Sequence, residues 1–142
     1  MSSDRGKRIH PRKRSKFTGR VGEHSFLRLL HFVIKSPEFA ELSGSAVKLL
    51  LEIAMEYRGN NNGDINIVWS RLKRRGWRSE TTLHKAKDEL LRSGFLICTR
   101  HGGRNFCNLY AISWEPIDAC DGKFLEIGKQ NVASHAWRKH PR

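Results

Sequence analysis

The sequence predicts an α+β domain in which several helices precede a single β-hairpin. Three observations predict this class: helical spacing of apolar residues up to about residue 93, a short alternating segment at 65–67, and two strand-like segments around paired glycines at 95–114. With 142 residues, the chain has room for one domain with a modest core and tails. We therefore expect a disordered basic arm at 1–22, a folded domain at 23–117 and an irregular tail at 118–142.

Two helices are expected in the first half of the folded domain. Residues 25–36 carry apolar side chains at helical spacing, and Ser36 ends this helix because a residue before proline is pushed out of helical geometry. A second helix is expected from a capping site at 43–45 to about Tyr57, in the most hydrophobic segment of the chain. Its core-facing residues are expected to be Ala46, Val47, Leu50, Leu51 and Ala54, with Leu49 and Ile53 beside them.

Two further helices are expected around a basic turn. After an Asn- and Gly-rich loop at 59–63 and a short strand at 65–67, a brief helix is expected to stop at Gly76. Ser79 is suited to cap the last helix, which Gly94 closes. The core-facing residues of that helix are expected to be Leu83, Ala86 and Leu90. Its opposite face, free to contact a ligand, holds Thr81, His84, Lys85, Asp88 and Arg92.

A β-hairpin is expected to follow these helices. Residues 95–100 are strand-forming by type, residues 101–104 predict a tight turn because paired glycines adopt positive φ angles easily, and residues 106–114 return as the second strand. Alternate residues of the second strand are expected to face the core: Tyr110, Ile112 and Trp114. Helix, short strand, helix, turn, helix and hairpin is the order of a winged helix-turn-helix, which makes DNA the leading ligand.

Positive charge is concentrated in two segments. The chain has 27 Lys and Arg against 14 Asp and Glu, a formal net charge of +13, which implies a polyanionic partner or an acidic surface. Residues 1–20 hold eight cations against one acid, and residues 61–78 hold five cations against one acid. Because the five cations of 71–78 repel one another until an anion binds, this cluster favours a nucleic-acid contact over a solvated helix face.

The helix at 79–93 is predicted to lie in the major groove, with its first exposed residues at base edges. The expected base contacts are Arg78, Thr81, Thr82, His84 and Lys85. The expected phosphate contacts are Arg71, Lys73, Arg74, Arg75, Ser79, Arg100 and Arg104, with Arg12, Lys13 and Arg14 of the arm. The helix is neutral, because its three cations are balanced by Glu80, Asp88 and Glu89. These acids either select against some bases or pair with the neighbouring turn.

Three runs resemble bacterial winged helix-turn-helix proteins related to plasmid and phage replication-initiator domains. They are Leu42 to Leu51, Tyr57 to Asp64 and Leu90 to Phe95, and the resemblance covers roughly residues 26–117. It implies DNA binding in a bacterial or mobile-element setting, by a replication initiator or a transcriptional regulator. Such initiators commonly hold a second winged-helix, catalytic or helicase-loading domain, for which this chain has no room. A regulator, an accessory factor or a truncated relative is therefore favoured over a complete initiator.

Other classes of protein find less support in the sequence. No apolar run approaches the roughly 18 residues of a membrane span, and the basic start leads into no hydrophobic signal core, so we expect a cytoplasmic protein. Cys98, Cys107 and Cys120 have no metal-binding spacing, and Cys98 and Cys107 are expected to pack across the hairpin rather than form a disulfide. Neither a catalytic constellation nor a cofactor- or small-molecule-binding motif is present, and we expect a non-enzyme.

Two alternative functions and the oligomeric state stay open. A basic arm beside a small domain also suits structured RNA. The domain is alternatively a scaffold for protein interaction, with the arm engaging an acidic partner. The first helix either docks on its own domain or pairs with that of a second copy, which would give a homodimer.

Overall fold

The computed structural model describes residues 25–139. Within that range the fold is mixed α+β, which confirms the predicted class: five α-helices and one two-stranded antiparallel sheet. The helices are α1 (His31–Ile34), α2 (Pro37–Ala40), α3 (Gly44–Glu56), α4 (Trp69–Leu72), which a 3-10 turn (Lys73–Arg75) extends, and α5 (Glu80–Ser93). The strands are β1 (Leu96–Arg100) and β2 (Leu109–Ile112). Within the described range, the helices are all too short or too polar to cross a bilayer.

The single helix predicted at 25–36 is wrong. Residues 25–30 have no regular structure, and two helices of four residues each follow, separated at Ser36. Ser36 is extended, and its hydroxyl accepts a hydrogen bond from Phe39 N at 3.1 Å, so it starts α2 instead of merely ending α1. Leu30, at the start of α1, provides no side-chain cap. Without a cap, the apolar spacing does not offset the cost of nucleating a longer helix.

Helix α3 forms the centre of the core, as predicted. The hydroxyl of Ser43 accepts from Ala46 N at 3.2 Å and caps its first turn. The buried face is shifted from the predicted one: Leu49 and Ile53 are buried, whereas Leu51 is 41% exposed. Apolar residues surround most of this helix, so periodicity alone does not locate its buried stripe.

Helices α4 and α5 are joined by a sharp turn at Gly76, as predicted. Gly76 has a φ of 87°, in the left-handed region that glycine adopts without strain. Ser79 caps α5 by accepting from Thr82 N at 3.3 Å, and Gly94 ends it with a φ of 80°. The predicted core face of α5 is confirmed, because Leu83, Ala86 and Leu90 are all buried, and α5 packs on α3.

The strand predicted at 65–67 is reduced to one bridge. Ile65 and Tyr110 exchange two backbone hydrogen bonds, at 2.7 and 3.3 Å. The pairing goes no further, and the carbonyl of Asn66 accepts instead from the guanidinium of Arg71 at 2.7 Å. The Arg71 side chain therefore binds the carbonyl oxygen of Asn66, which a longer strand would use to pair with its neighbour.

The hairpin connection is longer than predicted. Strand β1 pairs with β2 from Leu96 opposite Ile112, with a bulge between Cys98 and Arg100, and residues 101–108 connect the strands. The turn prediction was wrong about φ, because Gly102 and Gly103 are not among the positive-φ glycines. Gly102 is needed for close approach instead: a Cβ there would lie 2.5 Å from the carbonyl oxygen of Phe106.

Residues 113–139 contain neither helix nor strand, yet they cover the hairpin. The amide of Glu126 donates to Thr99 O at 2.8 Å, and the amide of His135 donates to Ser113 O at 2.9 Å. Every residue from Leu109 to Trp114 is consequently buried, and the predicted alternation along the second strand is wrong. All three cysteines are free, and Cys98 lies opposite Tyr110 rather than Cys107.

Candidate nucleic-acid interface

One face of α5 is open to solvent along its whole length. Because Leu83, Ala86 and Leu90 face inward, residues about 180° around the helix are exposed. They are Thr81, His84, Lys85, Asp88 and Arg92, and we refer to them as the α5 face. A shallow groove beside this face separates α5 from the start of α3, where Ser43 and Ser45 lie.

The residues predicted to read bases are all exposed, either just before α5 or in its first two turns. Arg78 precedes the cap Ser79, and the others are Thr81, Thr82, His84 and Lys85. Arg78 follows Trp77, whose ring is 6% exposed in the core and lies 5.1 Å from Lys48 Nζ. Burial of Trp77 therefore fixes the backbone from which Arg78 projects.

The hydroxyl of Ser79 is occupied within the helix. It accepts from Thr82 N, so its part in the site is to cap α5. An anion at this end of the helix would meet the remaining exposed backbone amides rather than this side chain.

The basic cluster at 71–78 divides into bound and free cations. Arg71 is partly buried and has two partners, with NH1 3.0 Å from Glu56 Oε1 and NH2 bonded to Asn66 O. Arg75 is half exposed and pairs with Glu52 at 3.1 Å. Lys73, Arg74 and Arg78 are exposed and make no hydrogen bond or ion pair with the residues that the structure describes.

The hairpin loop presents a second group of cations. The guanidinium of Arg100 donates to Cys107 O at 3.0 Å and lies 5.0 Å from the ring centre of Phe106, so it braces the loop. Arg104 is exposed at the tip, without a partner between residues 25 and 139. Of the two predicted loop contacts, Arg104 is thus the free one.

His101 joins this loop to the C-terminal segment. Its Nδ1 lies 2.7 Å from Glu126 Oε2, and its backbone amide donates to the other oxygen of that carboxylate at 3.2 Å. These hydrogen bonds lower the pKa of Glu126. Since Glu126 also bonds to Thr99 through its amide, the loop and the C-terminal segment are tied at two points.

The three acids of α5 are placed differently. Glu89 faces α3, where it accepts from Ser43 Oγ at 2.6 Å and from Ser43 N at 3.3 Å. Glu80 lies 3.6 Å from His84 Nε2 on the same helix. Asp88 is exposed and forms neither a hydrogen bond nor an ion pair with any described residue.

Sequence reasoning missed the residues of α3 that shape this surface. Lys48 lies next to the turn, where a Cβ on Gly76 would be 3.3 Å from its Nζ. Glu52 and Glu56 hold Arg75 and Arg71. The spacing of four residues between Lys48, Glu52 and Glu56 places them near one another on α3, and that spacing is the one signal for them in the sequence.

Two predictions about the site concern features outside this geometry. Arg12, Lys13 and Arg14 lie outside the described residues. Among residues 25–139, no group of three His, Cys, Asp or Glu side chains is arranged to hold a metal ion.

Comparison of the chain with protein-family models, with curated proteins and with solved structures found no match.

Proposed function

We propose that this chain is a double-stranded DNA-binding protein with a winged helix-turn-helix fold, a transcriptional regulator or replication-associated factor of a bacterium or mobile element. In this proposal α4, the turn at Gly76 and α5 form the helix-turn-helix, and β1 and β2 form the wing. The setting rests on the resemblance of the sequence to replication-initiator-type domains. No catalytic role is proposed.

One observation carries the proposal. The α5 face is exposed from end to end. Beside its start and on the hairpin loop lie cations that have no hydrogen-bond or ion-pair partner among residues 25–139: Lys73, Arg74, Arg78 and Arg104. An α-helix with its side chains is about 10 to 12 Å wide, close to the roughly 12 Å width of the major groove. Helix α5 would enter that groove, with Lys73 and Arg74 towards the phosphates at its edge and Arg78 towards the bases.

Base contacts are assigned to Arg78, just before α5, and to the first two turns of the helix. Arg78 and Lys85 donate to guanine O6 and N7, and the methyl groups of Thr81 and Thr82 rest against thymine methyls. The ring nitrogens of His84 lie 3.6 Å from Glu80 Oε1 and 3.3 Å from Lys87 Nζ, so His84 adds a further base contact when it leaves these partners. Each good contact of this kind contributes roughly 1 to 3 kcal/mol to discrimination against the wrong base.

Phosphate contacts are assigned to Lys73, Arg74 and Arg104. Arg75 adds to them when it leaves Glu52, whereas Arg71 has a structural role through Glu56 and Asn66. We also assign the arm, including Arg12, Lys13 and Arg14, to phosphates. These contacts supply affinity without reading sequence and weaken as salt concentration rises.

The test is selection of bound sites from a random duplex pool by the full chain, followed by affinity measurements over a range of salt. Lys85→Ala and Arg78→Ala should each lose preference at one position of the selected site, by roughly 1 to 3 kcal/mol. Arg74→Ala should weaken binding to all duplexes alike and reduce the salt slope by about 1. The matched control is Lys35→Ala, because Lys35 is an exposed cation between α1 and α2. This variant should leave the selected site and the salt slope unchanged.

Two results would contradict the proposal. Tighter binding of structured RNA than of duplex DNA at the same salt would favour the RNA alternative. Weak binding that selects no sequence, and that Lys85→Ala leaves unaltered, would favour a scaffold for protein interaction.

A further inference from the structure

The α5 face has the spacing with which a helix in the major groove reads neighbouring bases. Thr81, His84, Lys85 and Asp88 stand at positions i, i+3, i+4 and i+7, and all four are exposed. The homeodomain recognition helix, which docks in this groove, reads bases with side chains at the same spacing. On the proposed function, which this inference extends, Asp88 therefore joins the base-reading residues.

The other two acids of α5 have partners within the protein. Glu89 binds the hydroxyl and amide of Ser43 at the start of α3. Glu80 lies in the first turn, beside His84 and near the positive end of the helix dipole. Asp88 neither binds another part of the protein nor lies near the positive end of the helix. It lies in the third turn, and no described residue bonds to it.

The position of Asp88 is unusual for a merely solvated acid. His84 and Lys85 lie one turn before it, and Arg92 lies one turn after it, at spacings that allow ion pairs. The structure nonetheless forms no such pair among the described residues, and the carboxylate is left open on a strongly basic protein. Such a group next to DNA is repelled by phosphates, so it is compatible with binding only where a donor faces it.

The major groove offers a carboxylate few donors. Guanine presents acceptors at N7 and O6, and thymine presents an acceptor at O4, so both repel it. Cytosine presents the N4 amino donor alone, whereas adenine places its N6 donor next to the N7 acceptor. Cytosine is therefore the best base for Asp88.

Lys85 has the complementary preference. Its ammonium group donates to guanine O6 and N7. Three residues of helix rise about 4.5 Å, and successive base pairs are separated by about 3.4 Å. The two side chains therefore address base pairs that are one or two steps apart.

We propose that Lys85 and Asp88 select a guanine and a cytosine one or two base pairs apart in the target, with Asp88 as a specificity-determining residue that excludes guanine and thymine beneath it.

The experiment compares selected duplex sites for the full-length wild type, Asp88→Asn and Asp88→Ala. The wild type should select cytosine at one position by roughly 5- to 150-fold over guanine. Asp88→Asn should move that position towards adenine, because an amide both donates to N7 and accepts from N6. Asp88→Ala should lose the preference there and should bind duplexes with guanine or thymine at that position more tightly than the wild type does, since the repelled charge is gone.

The control is Asp121→Asn, which makes the same change to an exposed acid outside the helices and strands. It should select the wild-type site, and circular dichroism should give the wild-type spectrum for every variant. If the wild type selects a site and both Asp88 variants select the identical one, the inference is overturned while DNA binding stands. If the wild type selects no site at all, the proposed function itself fails.

Discussion

The indole of Trp137 stacks on the ring of Phe95, with ring centres 5.7 Å apart and planes inclined by 5°. Both rings are buried, although 42 positions separate them in the sequence. The same region excludes a side chain at Gly94, whose Cβ would overlap the carbonyl of Ala136. The C-terminal segment is thus part of the core that positions the end of α5 and the start of β1.

Replacing Trp137 by alanine should destabilise the protein strongly. Loss of a buried aromatic ring opens a cavity and removes the stacking contact, which costs roughly 3 to 5 kcal/mol in free energy of unfolding. Denaturant unfolding followed by far-UV circular dichroism measures the change. Val132→Ala, at a residue that is 76% exposed, is the control and should change stability little. Equal effects of the two variants would show that the segment does not belong to the core.

Replacing Asn62 by alanine should also be costly. Asn62 is fully buried, its Oδ1 accepts from Ile112 N at 2.8 Å, and its Nδ2 lies 3.0 Å from the carbonyl oxygens of Ile112, Glu115 and Pro116. Alanine leaves these groups without a partner, and we expect a loss of at least about 2 kcal/mol in free energy of unfolding.

The matched control for this loop is Asn60→Ala, because Asn60 is exposed and has no hydrogen bond with the described residues. It should change stability by less than about 0.5 kcal/mol. Thermal unfolding of the two variants side by side is sufficient, and similar midpoints would contradict the bridging role of Asn62.

The parts of the fold that were predictable from sequence are those with local signals. Ser43 and Ser79 cap their helices through bonds to residues three positions ahead, and Gly76 and Gly94 supply the left-handed turns. The α5 face follows from the same local periodicity, since one apolar stripe determines which residues are exposed. Caps, turns and helical faces depend on neighbours within a few residues.

The parts that were not predictable depend on distant contacts. Asn62 looks like Asn60 in the sequence, and only the path of the chain after β2 distinguishes them. Likewise, the pairing of Glu56 with Arg71 depends on how α3 lies against α4, so all five cations of the basic cluster look equally free. Trp137 gives no local sign that its partner is Phe95.

Gly102→Ala should distort the hairpin loop, whereas Gly103→Ala should be tolerated. A Cβ at Gly102 would lie 2.5 Å from Phe106 O and 2.7 Å from Asn108 N, both backbone atoms, while a Cβ at Gly103 would meet the ring of Phe106 at 3.4 Å. Overpacking of this kind costs roughly 1 to 3 kcal/mol. The midpoint of thermal unfolding should therefore fall for the first variant only. If Gly103→Ala lowers it as much, loop flexibility rather than close approach explains the glycines.

The remaining prediction concerns His135, which lies 5.5 Å from the ring centre of Phe32 and has a φ of 46°. Burial lowers the pKa of its imidazole, and the charge of Arg138 lowers it further, whereas Glu115 acts in the opposite direction. The folded protein thus disfavours the charged ring.

The sign of the pH dependence follows from this lowered pKa. Once the pH falls below the ordinary histidine value of about 6.5, the unfolded chain binds a proton before the folded chain does. Stability should therefore decrease as pH falls through that value and level off below the pKa of the folded state. Above about pH 7.5 His135 should have no effect of this kind.

His135→Asn tests this dependence, because asparagine tolerates a positive φ and does not titrate. Denaturant unfolding at about pH 8 and about pH 5.5 should show a smaller loss of stability for the variant than for the wild type. Arg138→Gln should fall between them, since it removes the second cause of the lowered pKa and leaves the burial. The same loss in all three proteins would mean that titration of His135 does not contribute to the stability of the C-terminal segment.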